Sequence, residues 1–124
     1  MRNRCLYKTC MAVGRFSGCH QRADRSFFIH GKQFPVCARC TGAFMGECLA
    51  VVTFRLFRPP VIFLMSLCAV MFLDWFIQYL KIRESTNIRR AITGFLGGYG
   101  YFSLVLKAIF IMKRVVIANL ILSK

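Results

Sequence analysis

The stretch from Pro59 to Leu80 constrains this chain more than any other feature. Val61 to Leu73 carries no charge, and Asp74 is the only charge in the whole segment. A helix of ~20 apolar residues crosses the ~30 Å hydrocarbon core of a bilayer, so this run is long enough to span one. Two more apolar stretches flank it. One covers about Thr41 to Phe57, interrupted by Glu47 and Arg55, and the other about Ala91 to Met112, with Lys107 late in it. The pattern predicts an all-α fold, a small helical membrane protein with about three transmembrane helices over 41–57, 59–80 and 91–112. The run Val115 to Leu122 is too short to span alone. It reads as a helix extension or interfacial tail, 113–124.

Charge gives the orientation. The chain has 18 Lys and Arg against 4 Asp and Glu, a formal charge of +14, although 57% of its residues are apolar. That apolar content excludes disorder, and 124 residues exclude a two-domain soluble enzyme. With three spans, residues 1–40 and the loop 81–90 share one side and hold 12 of the cations, against 6 at the other side. Cytoplasmic loops carry excess Lys and Arg. The expectation is a multi-pass protein of the cytoplasmic (inner) membrane with its N-terminus inside, in contact with the bilayer and its anionic headgroups. A nucleic-acid partner is disfavoured, because the cations flank the spans instead of forming one basic face. Residues 1–40 also contain no uncharged apolar run that would serve as a signal peptide.

That basic segment carries five of the seven cysteines, Cys5, Cys10, Cys19, Cys37 and Cys40. On the inner side structural disulfides are disfavoured. Cys37-Ala38-Arg39-Cys40 is a C-x-x-C pair, and Cys19-His20 lies upstream. Two thiolates from one turn with a Cys and a His from another supply four tetrahedral ligands to zinc, so Cys19, His20, Cys37 and Cys40 form the candidate metal site. His30 is a further candidate ligand. Two other readings compete. C-x-x-C is also the motif of thiol–disulfide chemistry, although no βαβ pattern accompanies it here. Ordinary or palmitoylated thiols near a membrane have the same composition.

Polar residues inside the spans are the remaining candidates. Asp74 and Gln78 are four apart and share a helix face. A carboxylate in a span costs up to ~3 kcal/mol on insertion scales, so it faces a partner or a cavity. Glu47 is expected at a similar depth, with Arg39, Arg89 and Arg90 able to pair with these acids. Ser85-Thr86-Asn87 are good N-cap residues ahead of the third span, and a helix N-terminus beside arginines attracts phosphate. Asp74, Gln78 and Arg90 are therefore the candidate catalytic or binding residues. Thr41-Gly42-Ala43-Phe44-Met45-Gly46 and Thr93-Gly94-Phe95-Leu96-Gly97-Gly98 each contain G-x-x-x-G. Such faces pack closely in lipid, either within one chain or in a homo-oligomer.

The string Cys19-His20-Gln21, Arg25-Ser26-Phe27, Gly31, Phe34-Pro35-Val36-Cys37-Ala38-Arg39-Cys40-Thr41-Gly42 and Gly46 resembles a family of small prokaryotic integral membrane proteins of unassigned activity, the domain-of-unknown-function 2085 family. Asp74-Trp75, Gln78, Asn87, Arg90 and Thr93-Gly94 continue the resemblance, which covers about 19–98. It implies a multi-span membrane protein and no particular reaction. Cys5, Cys10 and the tail after residue 100 lie outside it. Three functional classes stay open. One is a membrane protein with a zinc-binding cap of residues 1–40. Another is a metal-assisted enzyme acting on a lipid phosphate, with Asp74 as base and Arg90 as anion clamp. The third is a small transporter component with Asp74 and Gln78 lining a path.

Overall fold

The computed structural model describes residues 2–122, with side chains described from Cys5 onward. Four helices and one hairpin follow in order: α1 (Arg2–Phe16), β1 (Ser26–Ile29), β2 (Lys32–Cys37), α2 (Ala38–Thr53), α3 (Val61–Tyr79) and α4 (Asn87–Leu122). A short 3₁₀ turn, Ala23–Arg25, leads into β1. The strands pair antiparallel, with Ser26 opposite Cys37 and Ile29 opposite Lys32. His30 and Gly31 form the two-residue turn at φ 50° and 73°, the backbone that a tight hairpin requires. His30 is exposed, and among the described residues it does not join the thiol cluster that could hold a metal.

α4 is the central helix, with α2 and α3 each packed on it. α2 runs parallel to α4 through the two glycine faces. A Cβ on Gly42 would meet the Ala91 carbonyl, on Gly46 the Phe95 carbonyl, on Gly94 the Arg39 carbonyl and on Gly98 the Ala43 carbonyl. The backbones are in contact, and side-chain-free positions on both helices allow it. Within this chain, the G-x-x-x-G faces meet each other. α3 runs antiparallel to α4, with Met71 against Gly97 and Leu64 against Gly100.

The helix ends have local causes. Pro59 and Pro60 hold extended backbone ahead of α3. α3 ends in a Schellman turn: Ile82 N–H donates to the Ile77 carbonyl at 3.3 Å, and Lys81 takes the left-handed conformation at φ 56°. Thr86 Oγ1 accepts from Arg89 N–H at 3.3 Å, capping α4.

Among the described residues one helix, α3, is long and apolar enough to cross a membrane. Only Leu64 and Asp74 are buried along it. Phe63, Met65, Phe72, Leu73 and Trp75 face outward, an apolar surface that a monomer in water does not leave bare. The expected set of about three transmembrane helices is not supported by the same measure. α2 stops at Thr53 after 16 residues, turning at Phe54 through Leu56 before the prolines. α4 does not end near Met112 but runs 36 residues to Leu122, absorbing the expected tail. Its buried residues all lie between Arg90 and Ser103.

Candidate functional site

α1 and the hairpin place one thiol over two others. Gly14 on α1 lies against the Pro35 carbonyl, where a Cβ would not fit. Gln21 donates to the carbonyls of Met11 and Pro35, both at 2.6 Å, and Gln33 donates to the Gln21 carbonyl at 2.7 Å. Gly18, at φ 78°, turns the chain after α1. Cys19 is thereby buried against the start of α2, where the Cys37 N–H donates to its sulfur at 3.1 Å. Cys37 stands at the N-cap position of α2, and Cys40 lies in the first turn.

The three sulfurs of Cys19, Cys37 and Cys40 all lie within 4.8 Å of one another. Hydrogen bonding from Cys40, aided by Cys19 and opposed by burial, pulls the Cys37 thiol down to about 5. The Cys40 thiol is pushed up by its bond to Cys37, by burial and by the charge of its neighbours. His20 is exposed and its ring stands outside this trio, but it lines the same cavity of about 290 Å³ as Cys19, Cys37, Cys40, Arg39, Gln78 and Arg90.

The second cluster is built on Asp74, whose side chain is 3% exposed. Arg39 Nη2 donates to Asp74 Oδ2 at 2.9 Å, and Arg89 Nε forms an ion pair with Oδ1 at 2.8 Å. Gln78 Nε2 donates to Oδ2 at 2.6 Å, and Thr93 Oγ1 lies 3.3 Å from it. Gln78 in turn accepts from Arg90 Nε at 3.1 Å, and Asn87 Oδ1 accepts from Arg90 Nη1 at 3.3 Å. Asn87 Nδ2 donates to the Ser26 carbonyl at 3.3 Å, tying α4 to the hairpin. Glu47 is half-buried and joins no ion pair among the described residues.

Residues 19–104 match the family model described as "Predicted membrane protein (DUF2085)". The chain belongs to the DUF2085 family. An uncharacterised protein of Methanocaldococcus jannaschii is 32% identical over 115 residues, 87% of this chain and 70% of the relative. An uncharacterised protein of Methanothermobacter thermautotrophicus is 33% identical over 87 residues, covering 66% of this chain and 78% of that protein. No solved structure matches the chain.

The DUF2085 match starts at Cys19 and ends at Leu104. It includes the thiol trio, the hairpin, the Asp74 cluster and the packed half of α4. It leaves out α1 and the exposed end of α4. Of the candidate residues, the structure joins Asp74, Gln78 and Arg90 in one network and Cys19, Cys37 and Cys40 in another. It also brings in Arg39, Arg89, Thr93 and Asn87 beside them. A second cavity, of about 500 Å³, is lined by Arg25, Lys81, Arg83 and Arg90 with Asp24 and Glu84. The sequence points to one of its walls, Ser85-Thr86-Asn87 with Arg90 at the start of α4, while the other walls come from separate segments.

Proposed function

We propose that this protein is a zinc-binding integral membrane protein whose N-terminal cap is fastened by metal over a buried arginine–carboxylate cluster. The thiol trio is the observation that carries the reading. A tetrahedral zinc with Zn–S of about 2.3 Å spaces its thiolates about 3.8 Å apart, within the separation of these three sulfurs. A cation also resolves the competition between Cys37 and Cys40 for one proton. His20, adjacent to Cys19 and on the wall of the same cavity, is the fourth ligand after a side-chain rotation. With that ligand the site is closed and structural.

The membrane reading extends to α2 and the packed half of α4 as further spans beside α3, with the N-terminus inside. Its support is the 12-to-6 division of cations and the backbone contact through glycines. Asp74, held by two guanidinium groups, orders the arginines instead of serving as a base. Metal content of the purified full-length protein tests the zinc reading. One equivalent is expected in the wild type, with loss in Cys37→Ser and Cys19→Ser. Substoichiometric zinc in all three overturns it.

A thiol–disulfide role is the second reading, favoured by Cys37 at a helix N-terminus with a lowered thiol pKa. A metal-free wild type with a reversible Cys37–Cys40 disulfide would select it. Orientation is tested by labelling Cys5 in intact cells with an impermeant thiol reagent. Modification there reverses the proposed topology.

A further inference from the structure

The cavity of about 500 Å³ between the end of α3, the start of α4 and the 3₁₀ turn has an unusual wall. Arg90 is 9% exposed, yet among the described residues it has no carboxylate partner. Its Nε and Nη1 donate to the neutral oxygens of Gln78 and Asn87, and Nη2 has no acceptor among the described residues. The nearest buried acid, Asp74, is already paired with Arg39 and Arg89. This leaves three guanidinium groups against one carboxylate in the cluster. A buried charge without a counter-charge is costly, so such a group points to an anion.

The remaining walls agree. Arg25, Lys81 and Arg83 line the same cavity, opposed by Asp24 and Glu84. Asp24 is itself held by Arg22 at 3.3 Å and Arg25 at 3.6 Å. Asn87 opens α4 at the cavity, so the positive end of a 36-residue helix is part of the lining. Arginine presents a planar fork that matches phosphate oxygens in pairs.

We propose that this cavity binds a phosphate group, held by Arg90 from within and by Arg25, Lys81 and Arg83 at the mouth. The group belongs either to a lipid headgroup or to a soluble phosphate ester. The proposal goes beyond the zinc reading and does not depend on it. Two arms separate the sources. Full-length protein in neutral detergent is titrated calorimetrically with inorganic phosphate and with glycerol 3-phosphate. The same protein is added to phosphatidylglycerol and phosphatidylcholine nanodiscs, and the co-purified lipid phosphorus is counted.

Saturable binding in the first arm assigns a soluble ligand. Retention of phosphatidylglycerol alone, in excess of phosphatidylcholine, assigns a lipid. In whichever arm binds, Arg90→Gln weakens binding about tenfold or more, as loss of a charge-assisted contact requires. Arg58→Gln, at the opposite end of the bundle, changes it less than about twofold. Absence of binding in both arms overturns the proposal, as does Arg90→Gln binding within twofold of wild type. If Arg90→Gln does not fold, the Lys81→Gln/Arg83→Gln pair takes its place, since both residues are exposed. That pair loses about fivefold, and unchanged affinity overturns the proposal. Zinc content read on the same samples separates failure here from failure of the metal site.

Discussion

Replacing Asp74 with Asn keeps the side-chain shape and removes the one acid that neutralises the buried cluster. Breaking a buried ion pair by removing one partner costs ~3–5 kcal/mol, because the other charge stays behind. Here two partners share the loss unequally. The Arg89 side chain is 39% exposed and can turn to water, so its share is that of a surface pair, ~0–1 kcal/mol. The Arg39 side chain is 20% exposed, and its buried Nε has no acceptor among the described residues. It cannot leave without disturbing the start of α2, so it carries most of the penalty. The expected cost is about 3 kcal/mol. For a chain of this size that is roughly a 10–15 °C fall in the melting temperature. The assay is thermal unfolding followed by circular dichroism in detergent. Adding Arg39→Gln to Asp74→Asn removes the stranded charge and restores about 1.5 kcal/mol. A single variant melting within about 2 °C of wild type would refute this account. So would a double variant no more stable than the single one.

Gly98→Ala places a Cβ on the Ala43 backbone of α2 and forces the helices apart. It lowers stability by about 2 kcal/mol in the same melt, whereas Gly31→Asn, in a left-handed turn with open space around it, changes it by less than about 0.5 kcal/mol. In metal-free protein, alkylation of Cys37 measured by mass spectrometry rises through pH about 5, well below the ~8.5 of free cysteine. A thiol pKa lowered on folding contributes stability that is present above the ordinary thiol value. That contribution is lost as pH falls from about 9 to about 5, so the metal-free melting temperature falls across this window. Stripping zinc with a chelator removes about 4 kcal/mol if the metal stands at a thousandfold its dissociation constant, read as an earlier melt of wild type and no change in Cys37→Ser.

Much of the helical half is legible in the residues themselves. Asp74 stands alone in an apolar run, and the only cations placed to meet it are Arg39, Arg89 and Arg90. The structure pairs the first two with it and links the third through Gln78. The two G-x-x-x-G faces announce close packing, and they meet. The N-terminal part is less legible. Residues 1–40 read as a basic Cys/His-rich cap with no elements assigned, and they form α1 and a hairpin. Their order comes from contacts distant in sequence, such as Gln21 with Pro35 and Tyr7 with the Gln33 carbonyl at 3.1 Å. Helix boundaries also escape composition. The apolar stretch beginning at Thr41 predicts a helix to Phe57, but the turn before Pro59-Pro60 stops α2 at Thr53. The run Val115 to Leu122, expected as a helix extension or an interfacial tail, is an extension: α4 continues through the exposed Lys113-Arg114 to Leu122.

The two polar clusters are joined by the motif that builds the first one. Arg39 is one of the two residues between Cys37 and Cys40, so the turn that presents two thiols to Cys19 also presents a guanidinium to Asp74. Its carbonyl meanwhile lies where a Cβ on Gly94 would be, which fixes the start of α2 against α4. Any shift of that turn therefore moves Arg39 relative to Asp74. The shift also reaches Arg90 through Gln78, because Gln78 donates to Asp74 and accepts from Arg90. Four side chains thus connect the thiol trio with the cationic cavity.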